Sequence, residues 1–459
     1  MENNIFWILW VATLLLAGWV AVDAVFKPWK LLEWPVLCSV MWLYFYVYMA
    51  YDAISNFQSL FTPKALILGQ LLPLLSFAAL LYGWNVARRT SVQGRRSYAT
   101  LENRVLICFV GMAMIITGAV GGYLVQAGRD AGGFDYENTS AYVYLAFYVG
   151  YPGLALSLWA ASLSRGTVRT VLLTLTFVAL AIFIYPHVAY LRRGPTFPAI
   201  LLLLLVPPLA TGKAPNRTVY LSGLAILGVV MLAYLPLRKV IYNKGTWAEA
   251  FSEFSVTDAV TERGKDIFDN EYINNCHLIE ALTDNGKYQY GTGHGSLFLH
   301  WIPSSIWKNK PMLGEGIYTH DELFADVGQS AGIQLLGGGA AAGGVADAFV
   351  QYGFLTPLFF GLFGWLVSKA YWKGRNEGSL FWIHSYIAFV CATHWLISQG
   401  VSAAFVPMLA FLLIPLATLR FIGKIQPMSM GKPNEVPLSH QGNPPITATE
   451  PPSPFPSTR

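Results

Sequence analysis

Long hydrophobic runs recur along most of this chain and are separated by short polar connections. Each run is about 20 residues long, the length that crosses the ~30 Å hydrocarbon layer of a bilayer as an α-helix. The pattern predicts an all-α polytopic membrane protein with about eleven transmembrane helices. We expect helices 1–8 within residues 1–236 and helices 9–11 within 348–423. The runs begin near Ile5, Trp34, Ala65, Val105, Ala141, Val171, Phe197, Val219, Ala348, Leu380 and Ser402.

One long polar stretch, at 237–347, interrupts this pattern. It holds fourteen Asp and Glu residues against eight Lys and Arg, so it is acidic overall. A membrane protein that keeps a long, glycine-punctuated polar loop is expected to carry out chemistry or recognition there. The segment at 424–459 is different: it is rich in proline and poor in residues that could form a core, which predicts a disordered tail.

The basic residues indicate an orientation, because short cytoplasmic connections are enriched in Lys and Arg. Lys64, Arg129, Arg192 and Arg193 are the basic residues in one set of alternate short connections. The pattern places the N-terminus and the long loop outside and the C-terminus inside. The net charge of +5 then reflects topology and gives no reason to expect a nucleic-acid partner. The other set holds sixteen basic residues: Lys27, Lys30, Arg88, Arg89, Arg95, Arg96, Arg104, Arg165, Arg169, Lys213, Arg217, Lys369, Lys373, Arg375, Arg420 and Lys424.

Cysteine and ionisable residues narrow the function classes. Three of the four cysteines fall in predicted spans and Cys276 stands alone in the loop, so no metal site, disulfide framework or cofactor is expected. Ion-coupled transporters usually keep charged residues at mid-membrane. The predicted spans are nearly free of them, and His384 and His394 are interpreted as packing residues. A transporter is therefore disfavoured.

Within the loop, apolar residues at helical spacing predict an amphipathic helix over Asp258–Thr283, lying on the membrane and stopped by Asn285-Gly286. Alternating glycines at 291, 293 and 295 predict a flexible turn. The turn leads to a short interfacial or re-entrant segment at Leu297–Ile302, too short to span. Lys308 and Lys310 follow it and are placed to meet lipid or substrate phosphates.

Two further patterns have both a structural and a functional interpretation. The glycine cluster Gly337–Gly344 favours either close helix packing or a backbone surface that a bulky substrate can approach. Arg192 and Arg193 follow a helix end loosened at Pro186-His187, on the side that is otherwise poor in positive charge. Guanidinium groups bind phosphate oxygens well, so a phosphate site is the functional interpretation, and anchoring at lipid headgroups is the alternative.

Over about Arg192–Trp365, the chain resembles the bacterial O-antigen and exopolysaccharide repeat-unit polymerases. Three features carry the resemblance. An Arg-Gly step at Arg193-Gly194 opens a Leu-rich span, and the Ile-Pro-x-x-x-Trp-x-x-Lys-Pro pattern occupies Ile302–Pro311. A glycine-rich stretch is then followed by Asp347 and the aromatic-Gly step Tyr352-Gly353.

The resemblance implies a GT-C-like architecture and glycosyl transfer at the periplasmic face of the bacterial inner membrane. A hydroxyl of one undecaprenyl-pyrophosphate-linked oligosaccharide attacks the anomeric carbon of another, and undecaprenyl pyrophosphate leaves. The implied partners are the lipid-linked oligosaccharide, membrane lipids, a chain-length regulator and a flippase. Expected pyrophosphate or glycan ligands are Arg192, Arg193, Arg263, Lys308, Lys310 and His187. His294 is the first candidate for the base, followed by Asp347, His320 and Asp321.

Two alternatives stay open. A ligase that transfers finished glycan to another acceptor would share much of this frame and chemistry. A non-enzymatic flippase or exporter of lipid-linked glycan would need a polar central cavity, which the sparse charge in the predicted spans disfavours.

Overall fold

The computed structural model describes residues 2–90, 104–130, 141–189, 193–213, 215–225, 270–286, 288–299, 343–377 and 380–425. These residues form helices and no strands. A π-helical turn at Leu43–Tyr48 joins α2 to α3, and 217–225 is also helical. The labelled helices are α1 Glu2–Phe26, α2 Trp34–Trp42, α3 Met49–Phe57, α4 Pro63–Thr90, α5 Arg104–Asp130, α6 Ala141–Leu163, α7 Gly166–Ala189, α8 Arg193–Thr211, α9 Glu271–Asn285, α10 Thr292–Leu299, α11 Gly344–Tyr352, α12 Thr356–Glu377, α13 Leu380–Ser398 and α14 Val401–Ile425.

Seven helical stretches in the described part are long and apolar enough to cross a membrane. This agrees with the predicted class, an all-α polytopic membrane protein, while the total of eleven spans stays a prediction. The span predicted to begin near Ala348 is divided in the structure. α11 ends at Tyr352, Gly353 takes a positive φ of 55°, and α12 begins at Thr356. Glycine adopts this conformation without the steric cost that a side chain would bring.

Helices α4 and α12 pack closely and run in the same direction. A Cβ on Gly83 would lie 1.9 Å from the carbonyl oxygen of Gly361, so the two backbones nearly touch. Further along, the Ser368 hydroxyl donates to the carbonyl of Trp84 at 2.8 Å. Small residues permit this approach between transmembrane helices. The parallel packing brings Arg88 and Arg375 to one end of the bundle.

Other basic residues lie at that same end. Arg217 stacks over Phe26, 5.7 Å from the ring centroid, and the Arg104 guanidinium donates to the carbonyl of Leu163. We call this the basic end. We call the opposite end, which holds α9, α10 and α11, the polar end. The two ends reproduce the segregation of basic residues in the sequence.

The prediction for α9 was correct at one end and wrong about its surroundings. The helix ends as predicted, with Gly286 in the left-handed conformation, and it begins at Glu271 with the Asn270 side chain accepting from the Tyr272 N–H. Residues 258–269 of the predicted helix lie outside the described residues. The helix does not lie on a membrane surface, because apolar and polar side chains alike are at most 3% exposed at Tyr272, Ile273, Asn274, Asn275, Cys276, His277, Leu278 and Ile279.

Glycine again explains how α9 fits. A Cβ on Gly69 of α4 would lie 2.2 Å from the Cys276 sulfur, so only a glycine leaves room for the thiol. The Asn275 amide donates to the Gly69 carbonyl at 3.3 Å, and the Tyr272 hydroxyl donates to the Gln70 amide oxygen at 3.1 Å. Asn274 and Asn275 would face solvent in the predicted amphipathic helix. In the structure they are part of a buried interface.

Candidate functional site

Three polar side chains meet at the polar end. The Nε2 atom of His294 lies 3.1 Å from Oδ2 of Asp347, and its Nδ1 atom lies 3.0 Å from the Tyr352 hydroxyl. The first residue comes from α10 and the other two from α11. Asp347 is 1% exposed and His294 is 7% exposed, whereas Tyr352 is only half-buried. The cluster therefore has a buried carboxylate at one end and an accessible hydroxyl at the other.

Backbone pairing between the segment before α10 and the end of α11 holds His294 in place. The N–H of Gln289 donates to the carbonyl of Val350 at 2.9 Å, and the N–H of Gly291 donates to that of Gln351 at 3.0 Å. The Gln351 side-chain oxygen also accepts from the Gly293 N–H at 3.1 Å. These bonds fix the position of α10 against α11.

The alternating glycines belong to this pairing. Gly291 has a φ of 82°, and a Cβ on Gly293 would lie 2.4 Å from the Gln351 amide nitrogen. The flexible turn predicted here is instead an ordered connection, and α10 begins at Thr292 inside it. The re-entrant segment predicted at Leu297–Ile302 is described only as far as Leu299.

Asp347 is held by the start of α14. The backbone N–H of Val401 donates to Oδ2 of Asp347 at 2.8 Å. Gly400 has a φ of 113°, and a Cβ there would lie 2.6 Å from the same carboxylate. A helix N-terminus stabilises negative charge through its unpaired N–H groups and its dipole. The Asp347 carboxylate thus accepts from a backbone donor at the start of a helix.

An ionised Asp347 assigns the histidine tautomer. The carboxylate can only accept, so Nε2 of His294 carries the hydrogen and Nδ1 is the basic nitrogen. Nδ1 then accepts from the Tyr352 O–H. The direction of the hydrogen bonds runs from hydroxyl to imidazole to carboxylate, which is the arrangement of a general base oriented by a third group.

Aromatic packing shapes one wall of the cluster. The Phe359 ring stacks on Tyr352 with centroids 5.0 Å apart and lies 5.9 Å from the His294 ring. An apolar wall excludes water and strengthens the hydrogen bonds beside it. The hydrogen-bonded series thus lies beside an apolar wall and ends at a hydroxyl that remains accessible.

His277, in α9, has surroundings that differ from those of His294. It is 3% exposed, its ring stacks flat on Phe61 at 5.5 Å, and its Nε2 atom has no hydrogen-bond partner among the described residues. Burial lowers its pKa from 6.5 to about 4. His277 is thus a packed imidazole, in contrast to His294, whose Nε2 atom faces a carboxylate.

The structure brings together the first two base candidates, His294 and Asp347. Arg193 begins α8 and His187 lies within α7, with side chains that are not described. The remaining candidates lie outside the described residues: Arg192, Arg263, Lys308, Lys310, His320 and Asp321. Within the described part of the chain, no group of three or more His, Cys, Asp or Glu residues could hold a metal ion.

Gln351 and Tyr352 were not predicted from the sequence as site residues. In the sequence, Tyr352 was noted only as part of the aromatic-Gly step Tyr352-Gly353, and no role was assigned to it. Its role depends on the backbone pairing at 289–291, a contact between residues about 60 positions apart in the chain. No local pattern carries that information.

The glycine cluster before α11 is described only at its end. A Cβ on Gly344 would lie 1.8 Å from the carbonyl oxygen of Leu396, which supports close helix packing at this position. Residues 337–342 lie outside the described residues.

Comparison with known proteins identified no relative of this chain. No family model, no curated protein and no solved structure matches this chain.

Proposed function

We propose that this chain is a membrane glycosyltransferase that joins oligosaccharide repeat units carried on undecaprenyl pyrophosphate. The observation that carries the proposal is the hydrogen-bonded series Tyr352–His294–Asp347 at the polar end. It supplies the general base that attack by a sugar hydroxyl requires. The substrate class comes from the resemblance over Arg192–Trp365.

In the proposed reaction, the acceptor hydroxyl approaches the exposed side of Tyr352. Its proton passes to the tyrosine oxygen while the tyrosine proton moves to Nδ1 of His294. Asp347 stabilises the resulting imidazolium through Nε2. The acceptor oxygen forms a bond to the anomeric carbon, and the bond from that carbon to the pyrophosphate breaks. Undecaprenyl pyrophosphate leaves with the bonding electrons.

The position of α8 supports a role for Arg193 in stabilising that leaving group. The Phe197 ring lies 5.0 Å from the ring of His394, which is near the end of α13. That end continues through Gly400 to the contact with Asp347. Arg193 is one turn before Phe197, so its backbone lies at the polar end. Preorganised positive charge beside a departing pyrophosphate contributes several kcal/mol to catalysis.

The proposed orientation places the polar end in the periplasm of a bacterial inner membrane. It rests on the basic end, which collects the residues expected on the cytoplasmic side. Lipid-linked repeat units would then reach His294 from the outer leaflet.

The test is to incubate purified protein with undecaprenyl-pyrophosphate-linked repeat units and to separate the products by size. We expect a ladder spaced by one repeat unit, lost in His294→Gln and strongly reduced in Arg193→Ala and Arg263→Ala. Tyr290→Phe is the matched control, because Tyr290 is 80% exposed and close to the site. Folded protein that forms no ladder but glycosylates an added acceptor lipid would identify a ligase instead.

A further inference from the structure

The basic end contains an arrangement that the proposed transfer reaction does not use. Two guanidinium groups from different helices approach the same indole ring. The Cζ atom of Arg88 lies 5.5 Å from the centroid of Trp372, and that of Arg375 lies 5.6 Å from it. Arg375 also lies 4.4 Å from the Trp29 ring. Trp372 therefore contacts both guanidinium groups, and we call Trp29 and Trp372 the aromatic platform.

The platform positions Arg375 with little remaining freedom. Its guanidinium donates to the Tyr371 hydroxyl at 3.3 Å while its face contacts the two indoles. A guanidinium has five donors in a fixed fork, so one bond to a tyrosine leaves others available. Holding the group in advance lowers the entropy that a ligand must overcome on binding. Arg88, in contrast, is exposed.

Among the residues whose side chains the structure describes, the nearby acidic groups do not balance this charge. Asp23 pairs with Lys27 and Lys30. Glu33 is 8% exposed, and burial raises its pKa, although Arg88, Lys30 and Arg375 act in the opposite direction. Two arginines thus face one buried carboxyl. The cluster has an excess of positive charge where α4 and α12 end.

The exposed face of α4 leads directly to this charge. Leu75, Ala78, Tyr82, Asn85 and Arg88 are exposed and follow one another at intervals of three or four residues. Such spacing places them along one side of a helix. This mostly apolar stripe is about 20 Å long and ends at a guanidinium, which matches an acyl chain ending at a phosphate.

We infer that Arg88 and Arg375, seated on Trp29 and Trp372, bind the phosphate of an anionic phospholipid whose acyl chains lie along the exposed face of α4. Arginine pairs recognise phosphate oxygens through charge-assisted hydrogen bonds. Basic pockets between transmembrane helices bind anionic lipid headgroups by the same chemistry. Free phosphate would satisfy the arginines but would leave the apolar stripe without a ligand.

The test is lipid retention measured by native mass spectrometry of the full chain in detergent, with cardiolipin, phosphatidylcholine or inorganic phosphate added. We expect cardiolipin to stay bound to the wild type, and its affinity to fall at least about tenfold in Arg88→Gln/Arg375→Gln. Arg165→Gln/Arg169→Gln is the matched control. It removes the same charge from exposed residues at the same end, where α6 meets α7.

Several results would overturn the inference. One is equal loss of cardiolipin in the control, which would indicate attraction to net charge alone. Another is equal retention in all variants. Equal occupancy by inorganic phosphate would identify a free-anion site. Arg88→Gln alone removes an exposed side chain and provides the same comparison if the double variant does not fold. The readout is lipid binding, so it does not depend on the proposed transferase activity.

Discussion

At the scale of single residues, both ring nitrogens of His294 are already engaged. Nε2 faces a carboxylate that is anchored by a helix N-terminus, and Nδ1 faces a hydroxyl. A substrate therefore cannot reach the basic nitrogen without displacing Tyr352 or exchanging a proton through it. Because Tyr352 is the half-buried member, we favour exchange through the hydroxyl.

Tyr352→Phe tests proton exchange through the tyrosine hydroxyl. The ring and its stacking on Phe359 are kept, while the hydroxyl that connects solvent to His294 is lost. We expect kcat for coupling of repeat units to fall about 10²-fold, within the range that general-base catalysis contributes. Tyr290→Phe should keep the wild-type rate. A Tyr352→Phe variant with full activity would mean that His294 receives the proton directly.

The lowered pKa of His277 predicts that the stability of the fold depends on pH. Its pKa is about 4 in the fold against 6.5 unperturbed, so as pH falls below 6.5 the unfolded chain takes up the proton first. Stability is therefore full above pH 6.5 and declines toward pH 4, by up to about 1.4 kcal/mol per pH unit. His277→Gln should flatten this decline.

The measurement is the thermal unfolding of the detergent-solubilised protein from pH 7 to pH 4. Carboxylates titrate in both proteins, so the difference between wild type and His277→Gln isolates the histidine. Parallel curves would show that folding does not lower the pKa of His277.

His294 was selected from the sequence as a histidine between glycines. Asp347 was selected as the acidic residue after the glycine-rich stretch that carries the resemblance. Their contact, and the part played by Tyr352, depend on backbone pairing between 289–291 and 350–351, which side-chain types do not encode.

At the scale of helices, α9 is the least expected element. It packs against α4 beside Gly69, which lies six residues and about 9 Å inside that helix. The space it uses exists because Gly69 has no side chain. The buried contact is apolar at Cys276 and polar at Asn275, so it combines packing with a specific hydrogen bond.

A double-mutant cycle tests this contact. Gly69→Ala places a methyl group 2.2 Å from the Cys276 sulfur, and we expect it to destabilise the protein by about 1–3 kcal/mol. Cys276→Ala removes the sulfur, so the double variant should recover part of the loss. Unfolding midpoints of the four proteins in one detergent give the coupling. Strictly additive effects would contradict the close approach.

The helical pattern predicted where α9 ends but not what it touches. Asn274, Asn275 and His277 are polar, so periodicity assigns them to solvent. In the structure they are buried. Glycines behave similarly, because Gly83 and Gly293 each mark a place where another chain segment approaches closely, which no local pattern indicates.

At the scale of the whole molecule, charge separates the two ends of the bundle. The described arginines of α4 and α12 lie at the basic end, and the cluster around His294 lies at the polar end. α1 leads from the polar end to Phe26 beside Arg217, and α14 leads away from Asp347. The helix positions could be read from hydropathy. The pairing of α4 with α12 could not, because it depends on glycine contacts about 280 residues apart in the chain.

Cysteine labelling tests the orientation. All four native cysteines are buried, so the background is low. Asp284 at the polar end is 57% exposed, and Arg169 at the basic end is exposed. We expect Asp284→Cys to react with a membrane-impermeant maleimide in intact cells with a permeabilised outer membrane. Arg169→Cys should react only after the inner membrane is opened, and the reverse pattern would invert the orientation.

The central claim is that His294 is the base for glycosyl transfer. Its most direct test is the rate at which purified protein joins two undecaprenyl-pyrophosphate-linked repeat units, compared between wild type and His294→Gln in the same lipid. The account predicts a ladder from the wild type and a fall of at least about 10²-fold in the variant, with folding and substrate binding retained. A folded His294→Gln protein that builds the same ladder at the same rate would contradict it.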